Sequence, residues 1–201
     1  SYGKWKNIDV DELKAYYAIR TFIELFCRDR QSGIWNSTHK KHYLLRMPGP
    51  SQGFTERRYK QITACPHYCD ETTAKPRDHV DYDRLYKVRS LIDTLKHLFQ
   101  KYYNPGCEVS ADECMIPFQG RWGGRQYDRS KPIQWGVKVW MVTDAKTAYN
   151  YNFDVYCGKD PDFEHLDNIG VATGVIIKLT QNLHGKGHVV FTDRYYTSPQ
   201  L

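Results

Sequence analysis

The chain has 201 residues, 40% of them hydrophobic, and 29 Lys and Arg against 23 Asp and Glu, for a formal charge of +6. That apolar content supports one domain with a core, or one and a half smaller units, and excludes a disordered tail. No stretch approaches the roughly 18 apolar residues of a membrane span, residues 1–6 lack a signal-peptide apolar region, and the positive charge leaves open either a polyanionic partner or an ordinary basic protein.

The first half reads as helical. Asp9 is an N-cap with Glu12 three residues later, and Leu13, Tyr16, Tyr17, Ile19, Ile23 and Phe26 give a broad apolar face. Ser32, Gly33, Asn36 and Ser37 break this helix; Pro48-Gly49-Pro50 and Gly53 mark a loop before a short helix begun by Thr55. Cys65-Pro66-His67-Tyr68-Cys69 lacks the second Cys/His pair of a zinc site. With Cys27, Cys107, Cys114 and Cys157 it makes six scattered cysteines, which suits a reducing compartment. Residues 81–103 carry Leu85, Val88, Leu91, Ile92, Leu95, Leu98 and Phe99 at helical spacing and end at the stop signal Asn104-Pro105-Gly106.

After Gly106 the period changes from helical to alternating. An apolar run at 109–118 is followed by alternation at 134–142 (Trp135, Val137, Val139, Met141) and at 149–156 (Tyr149, Tyr151, Phe153, Val155). Asp144-Ala145-Lys146-Thr147 is short enough for a hairpin. An acidic loop with Asp160, Asp162, Glu164 and Asp167 precedes a helix bearing Val171, Val175, Leu179 and Leu183, and then an apolar strand at 188–192. Strand, strand, strand, helix, strand is the opening of an α/β sheet whose first three strands form a meander, as in ribonuclease H-like folds. The expected organisation is therefore a helical region at 1–106 and a partial sheet domain at 107–201.

Two acids stand in or at the end of apolar strands, Asp112 and Asp193. Carboxylates on adjacent strands can converge on divalent cations, the arrangement that drives phosphodiester chemistry. Asp193 could equally cap a following helix, and Asp112 could be a strand-end acid. Glu113 should face the opposite side of its strand and serve structurally through a salt bridge, and Asp144 is a hairpin-turn residue. Residues 120–132, with four cations, two aromatics and three glycines, suit contact with phosphates and exposed bases, or form a solvated connection. Lys138, inside a strand, either snorkels to an edge or points to the active face.

Several blocks are similar to the piggyBac transposase family: Asp83-Arg84-Leu85-Tyr86-Lys87-Val88-Arg89 with Tyr103-Asn104-Pro105-Gly106, then Val109-Ser110-Ala111-Asp112-Glu113-Cys114-Met115-Ile116-Pro117-Phe118-Gln119-Gly120-Arg121, Lys131-Pro132 with Trp135-Gly136-Val137-Lys138, and Phe191-Thr192-Asp193-Arg194-Tyr195-Tyr196-Thr197-Ser198. The resemblance implies a nuclear DNA transposase with a ribonuclease H-like catalytic domain behind a helical dimerisation and DNA-binding region. It implies three aspartates that hold two magnesium (or manganese) ions. Asp112 resembles the first catalytic metal ligand and Asp193 the second. A metal-activated water would nick the transposon end of a duplex, and the freed 3′-hydroxyl would attack DNA to give a hairpin and later join at TTAA. Arg121, Lys131 and Lys138 match basic positions and become DNA-contact candidates.

The family's third aspartate and its cysteine-rich zinc domain are not found in the 201 residues, and Arg194 stands where many members carry Asn. The expectation is therefore a transposase fragment, inactive by itself because its site has two carboxylates, or a truncated domesticated DNA-binding module without catalysis. A non-functional remnant with an unpaired, aggregation-prone sheet edge is a third reading.

Overall fold

The computed structural model describes residues 4–26, 35, 54–158 and 170–197. The expected break at Ser32, Gly33, Asn36 and Ser37, the Pro48-Gly49-Pro50 and Gly53 loop, and the acidic run Asp160, Asp162, Glu164 and Asp167 lie outside them. The chain divides into two compact units, 1–67 and 68–201.

In the first unit, helix α1 (Val10–Phe26) starts where Asp9 caps it, the Asp9 carboxylate accepting the Glu12 N–H at 2.8 Å. Glu12 does not complete a capping box. Its carboxylate takes two hydrogen bonds from Arg58, at 2.5 and 2.7 Å, which hold its pKa below the ordinary value. Arg58 belongs to helix α2 (Glu56–Thr63), capped by Thr55 as expected. Tyr16 and Ile23 pack with Phe54, Tyr59 and Ile62, whereas Leu13 and Tyr17 are exposed, so the apolar face of α1 is narrower than its composition suggests.

The second unit opens with turns. Helix α3 begins only at Arg89 and runs to Tyr102, although its apolar spacing extends back through Leu85. Asp83 is the reason: its carboxylate accepts the Leu85 N–H at 2.8 Å and a forked pair of hydrogen bonds from Arg89 at 2.7 and 3.0 Å. Those bonds stabilise a turn in place of the helix's first turns.

Strands β1 (Glu108–Pro117), β3 (Trp135–Asp144) and β4 (Asn150–Val155) form the expected antiparallel meander. Strand β2 (Gln126–Tyr127), too short to have a readable period, pairs with the start of β3 at Gly136 and Trp135. A Cβ at Gly136 would lie 2.3 Å from the Ile116 carbonyl oxygen, so glycine alone fits there without a backbone shift. After β4 the chain passes through helix α4 (Val171–Thr180) and a 3₁₀ turn (Gln181–Leu183) into β5 (Val189–Thr192). Strand β5 lies parallel to β1 on the sheet's edge. The architecture is mixed α/β, helices first and then a mixed sheet.

The two faces of β1 meet different surroundings. Val109 and Ala111, with Trp140 and Val142 of β3, pack under Val175, Ile176, Leu179 and Leu183 of the α4 layer. Buried Asn152 of β4 donates to the Leu179 carbonyl at 2.8 Å and ties helix to sheet. On the other face, Ser110, Asp112 and Cys114 pair with Thr143, Met141 and Val139. There α3 packs beside β4, its Phe99 ring 5.8 Å from that of Phe153, while Asp112 remains exposed.

Candidate active site

Asp112 occupies the middle of β1, and Asp193 follows the last residue of β5. The parallel register pairs Ala111 with Thr192; carried one residue further, it sets Asp112 beside Asp193, on chains that run about 4.8 Å apart in such a ladder. Both residues are exposed. In each, Oδ1 accepts one backbone N–H: that of Glu113 at 2.8 Å for Asp112, and that of Tyr195 for Asp193. Each Oδ2 has no protein hydrogen bond among the described residues. The turn-capping role open to Asp193 is thus real, since its carboxylate and its carbonyl both organise the turn at 193–197. It occupies only one carboxylate oxygen and leaves the other available.

Glu113, one residue along, points into the α4 face and is half-buried. Lys131 approaches its Oε1 at 3.1 Å, the salt bridge its position suggests, and the Tyr196 hydroxyl donates to its Oε2. Burial alone would raise the Glu113 carboxyl, but the hydrogen bonds from Tyr196 and Lys131, together with the charges of Lys138 and Lys131, bring it below the ordinary value. Tyr196 is 1% exposed. Burial, then the bond to Glu113 and the charges of Glu113 and Asp112, push its phenol far above the usual range.

The three basic candidates are in different situations. Lys131 is committed to Glu113. Lys138, on β3 opposite Met115, is half-buried and acts on Glu113 and Asp128 through its charge. Arg121 is exposed in the loop between β1 and β2. Nearby, the Arg125 guanidinium lies 4.3 Å over the ring of half-exposed Trp135, which in turn meets half-exposed Tyr127 at 4.8 Å.

Asp144 is the hairpin acid its position suggests, with more bonds than a turn requires. It is 3% exposed; its Oδ1 accepts from the Lys146 and Thr147 N–H groups and the Thr147 hydroxyl, and its Oδ2 accepts the Gly106 N–H at 2.7 Å. These donors, Gly106 first, hold its carboxyl far below the usual carboxylate range. Sequence reading missed the partners of Glu113 and the tie from Asp144 to Gly106. No local signal announces them: Tyr195 and Tyr196 are adjacent and alike in sequence, yet one is exposed and the other buried.

A three-stranded antiparallel meander is extended by a parallel strand, with carboxylates at neighbouring positions of the two parallel strands. All of residues 1–201 match the family model described as Transposase IS4, and the chain belongs to that family. PiggyBac transposable element-derived protein 3 of Homo sapiens is 27% identical over 205 residues, a match covering 100% of this chain and 32% of that protein. PiggyBac transposable element-derived protein 2 of Homo sapiens is 25% identical over 210 residues, covering 100% and 33%. The chain thus spans about a third of the length of these curated relatives. The cryo-EM structure of the piggyBac transposase synaptic complex with hairpin DNA aligns with a TM-score of 0.80 at 21% identity, over 97% of this chain and 39% of that one, and the fold is shared.

Transposases of this family generally work with divalent metal ions. The donor set fits part of such a site, since two exposed carboxylates with open oxygens are hard ligands of the type magnesium selects. No group of three or more His, Cys, Asp or Glu among the described residues could hold a metal ion.

Proposed function

We propose that this chain is the part of a piggyBac-type DNA transposase that supplies the first two carboxylates of a two-metal strand-cleavage and strand-transfer site. The observation that carries this reading is the β1–β5 register, which brings Asp112 and Asp193 side by side with an unused oxygen on each. Two magnesium or manganese ions, completed by a third acidic ligand, would activate the attacking oxygen and stabilise the leaving one. Asp112 and Asp193 hold their share of the ligand oxygens; exposed Arg121 of the β1–β2 loop, and Arg125 with the Trp135 and Tyr127 rings, meet phosphates and bases. Lys138 pairs with Met115 on the Glu113 face of the sheet, opposite to the Asp112 face, and adds its charge at Glu113. Lys131 contributes through Glu113 and is a weaker candidate for direct contact.

Duplex DNA is the partner in this reading, supported by the basic balance of the chain and by the hairpin DNA bound in the neighbouring transposase structure. Transposon ends, TTAA targets, a homodimer and a nuclear location belong to the same proposal. The test is incubation of the purified 201-residue chain with transposon-end DNA and magnesium or manganese. Duplex binding that weakens with salt, without strand cleavage, is expected, because two carboxylates cannot fix both oxygens in line. Robust nicking that disappears in Asp112→Asn would contradict the need for a third ligand. Binding that is absent even at low salt would sink the DNA reading.

A further inference from the structure

We propose that Tyr196, Glu113 and Lys131 form an internal clamp that positions Asp193 against Asp112. The inference rests on the metal-site reading above and identifies what keeps the two carboxylates in one place.

The β1–β5 ladder cannot do this alone. Its last pair is Ala111 with Thr192, and Asp193 lies just beyond it, where the chain enters a turn. The bonds inside that turn are local: the Tyr196 N–H and the Thr197 hydroxyl both donate to the Asp193 carbonyl, at 3.2 and 3.0 Å, and the Thr192 and Thr197 hydroxyls meet at 3.1 Å. They shape the turn without fixing its height on the sheet.

Tyr196 reaches out of it. Its ring is buried in the same cluster as Val109, Ala111, Trp140 and Val175, and its hydroxyl donates to Glu113 across 83 residues of sequence. Glu113 is the neighbour of Asp112, and its backbone N–H is the donor to Asp112 Oδ1. One continuous path therefore runs from the Asp193 carbonyl through Tyr196 and Glu113 to the Asp112 carboxylate. An ionised acceptor makes the central bond of that path a strong one, and Lys131 supplies the counter-charge that a half-buried carboxylate needs. The sheet thus uses its two faces differently at this point: Asp112 is exposed on one for ligation, and Glu113 anchors the strand end through the other. Tyr196, Glu113 and Lys131 are positioning residues, since none of them carries a ligand oxygen for the metal.

The test uses the ¹⁵N-labelled 201-residue chain with two readouts: amide exchange at Tyr195, Tyr196 and Thr197, and localised broadening of resonances near Asp112 and Asp193 on titration with Mn²⁺. In Tyr196→Phe, which keeps the ring and removes the hydroxyl, exchange of those amides should quicken and the Mn²⁺ concentration needed should rise, each about tenfold. Val175→Ala, a core truncation in the same cluster outside the path, should lower thermal stability without either effect. The clamp is refuted if Tyr196→Phe matches the wild type in both readouts, or if Val175→Ala reproduces its changes, which would reduce Tyr196 to packing. If the wild-type chain gives no localised broadening, the metal-site reading fails, and amide exchange alone decides the clamp.

Discussion

Asp144 and Asp112 lie on paired strands, three residues apart along the β1–β3 ladder, where Asp144 faces Val109 and Asp112 faces Met141. At Asp144 every carboxylate oxygen is occupied, by three backbone N–H groups and a hydroxyl, and the side chain is buried. At Asp112, and at Asp193 beside it, one oxygen takes one N–H, the other has no protein hydrogen bond among the described residues, and the residue is exposed. The first arrangement consumes the whole acceptor capacity of a carboxylate to join a hairpin to the start of β1. The second uses just enough to orient the group. Saturation of the acceptor sites thus separates an acid that holds the fold from one available to a ligand, although all three sit in or at the end of similar apolar strands.

Exchanging the roles should break this contrast. The largest effect is expected for Asp144→Ala, which strands the Gly106, Lys146 and Thr147 donors. Its thermal midpoint should fall on the order of 10 °C in a calorimetric scan, with Mn²⁺ broadening around Asp112 retained wherever the chain is folded. A comparable loss is expected in metal binding for Asp112→Asn or Asp193→Asn. Either change should remove most localised Mn²⁺ broadening while moving the midpoint by no more than about 2 °C, since the lost groups are exposed.

Acid separates the classes further. Backbone donation from Gly106, then from Thr147, depresses the Asp144 carboxyl in the folded chain. Its stabilisation is therefore complete above the unfolded value of about pH 4 and is lost as pH falls toward the folded one, because there the unfolded chain binds the extra proton. Between pH 5 and pH 3 the wild-type midpoint should drop more steeply than that of Asp144→Asn; parallel curves would contradict the role assigned to this acid. The smallest effect is expected at Arg121. Arg121→Glu should weaken duplex binding about tenfold at low salt and flatten the salt dependence, with no change in thermal midpoint.

Much of this was legible in the residues. The change of period after Gly106, the stop at Asn104-Pro105-Gly106 and the alternation in β3 and β4 are local signals, and they give the meander directly. The start of α3 was not legible, because Leu85 and Val88 continue a helical spacing while Asp83 captures Leu85 and Arg89 in a turn. Strand β2 has two residues and therefore no period.

At the site, Asp112 and Asp193 could be singled out from their strands and from the family blocks, but their parallel register is a tertiary fact that spacing does not encode. Lys131 illustrates the same limit. Its basic loop suggested phosphate contact, whereas in the fold it meets Glu113, 18 residues earlier, through a pairing that no local pattern announces. The hydroxyl of Tyr196 finds its acceptor over a still longer separation.

The most direct test of the central claim, that Asp112 and Asp193 jointly hold a divalent cation, is a residue-resolved Mn²⁺ titration of the ¹⁵N-labelled chain. We expect broadening centred on the β1 and β5 residues around positions 112 and 193, strongest there and largely removed by Asp112→Asn. Broadening that centres instead on the acidic run Asp160, Asp162, Glu164 and Asp167, and survives Asp112→Asn, would contradict it.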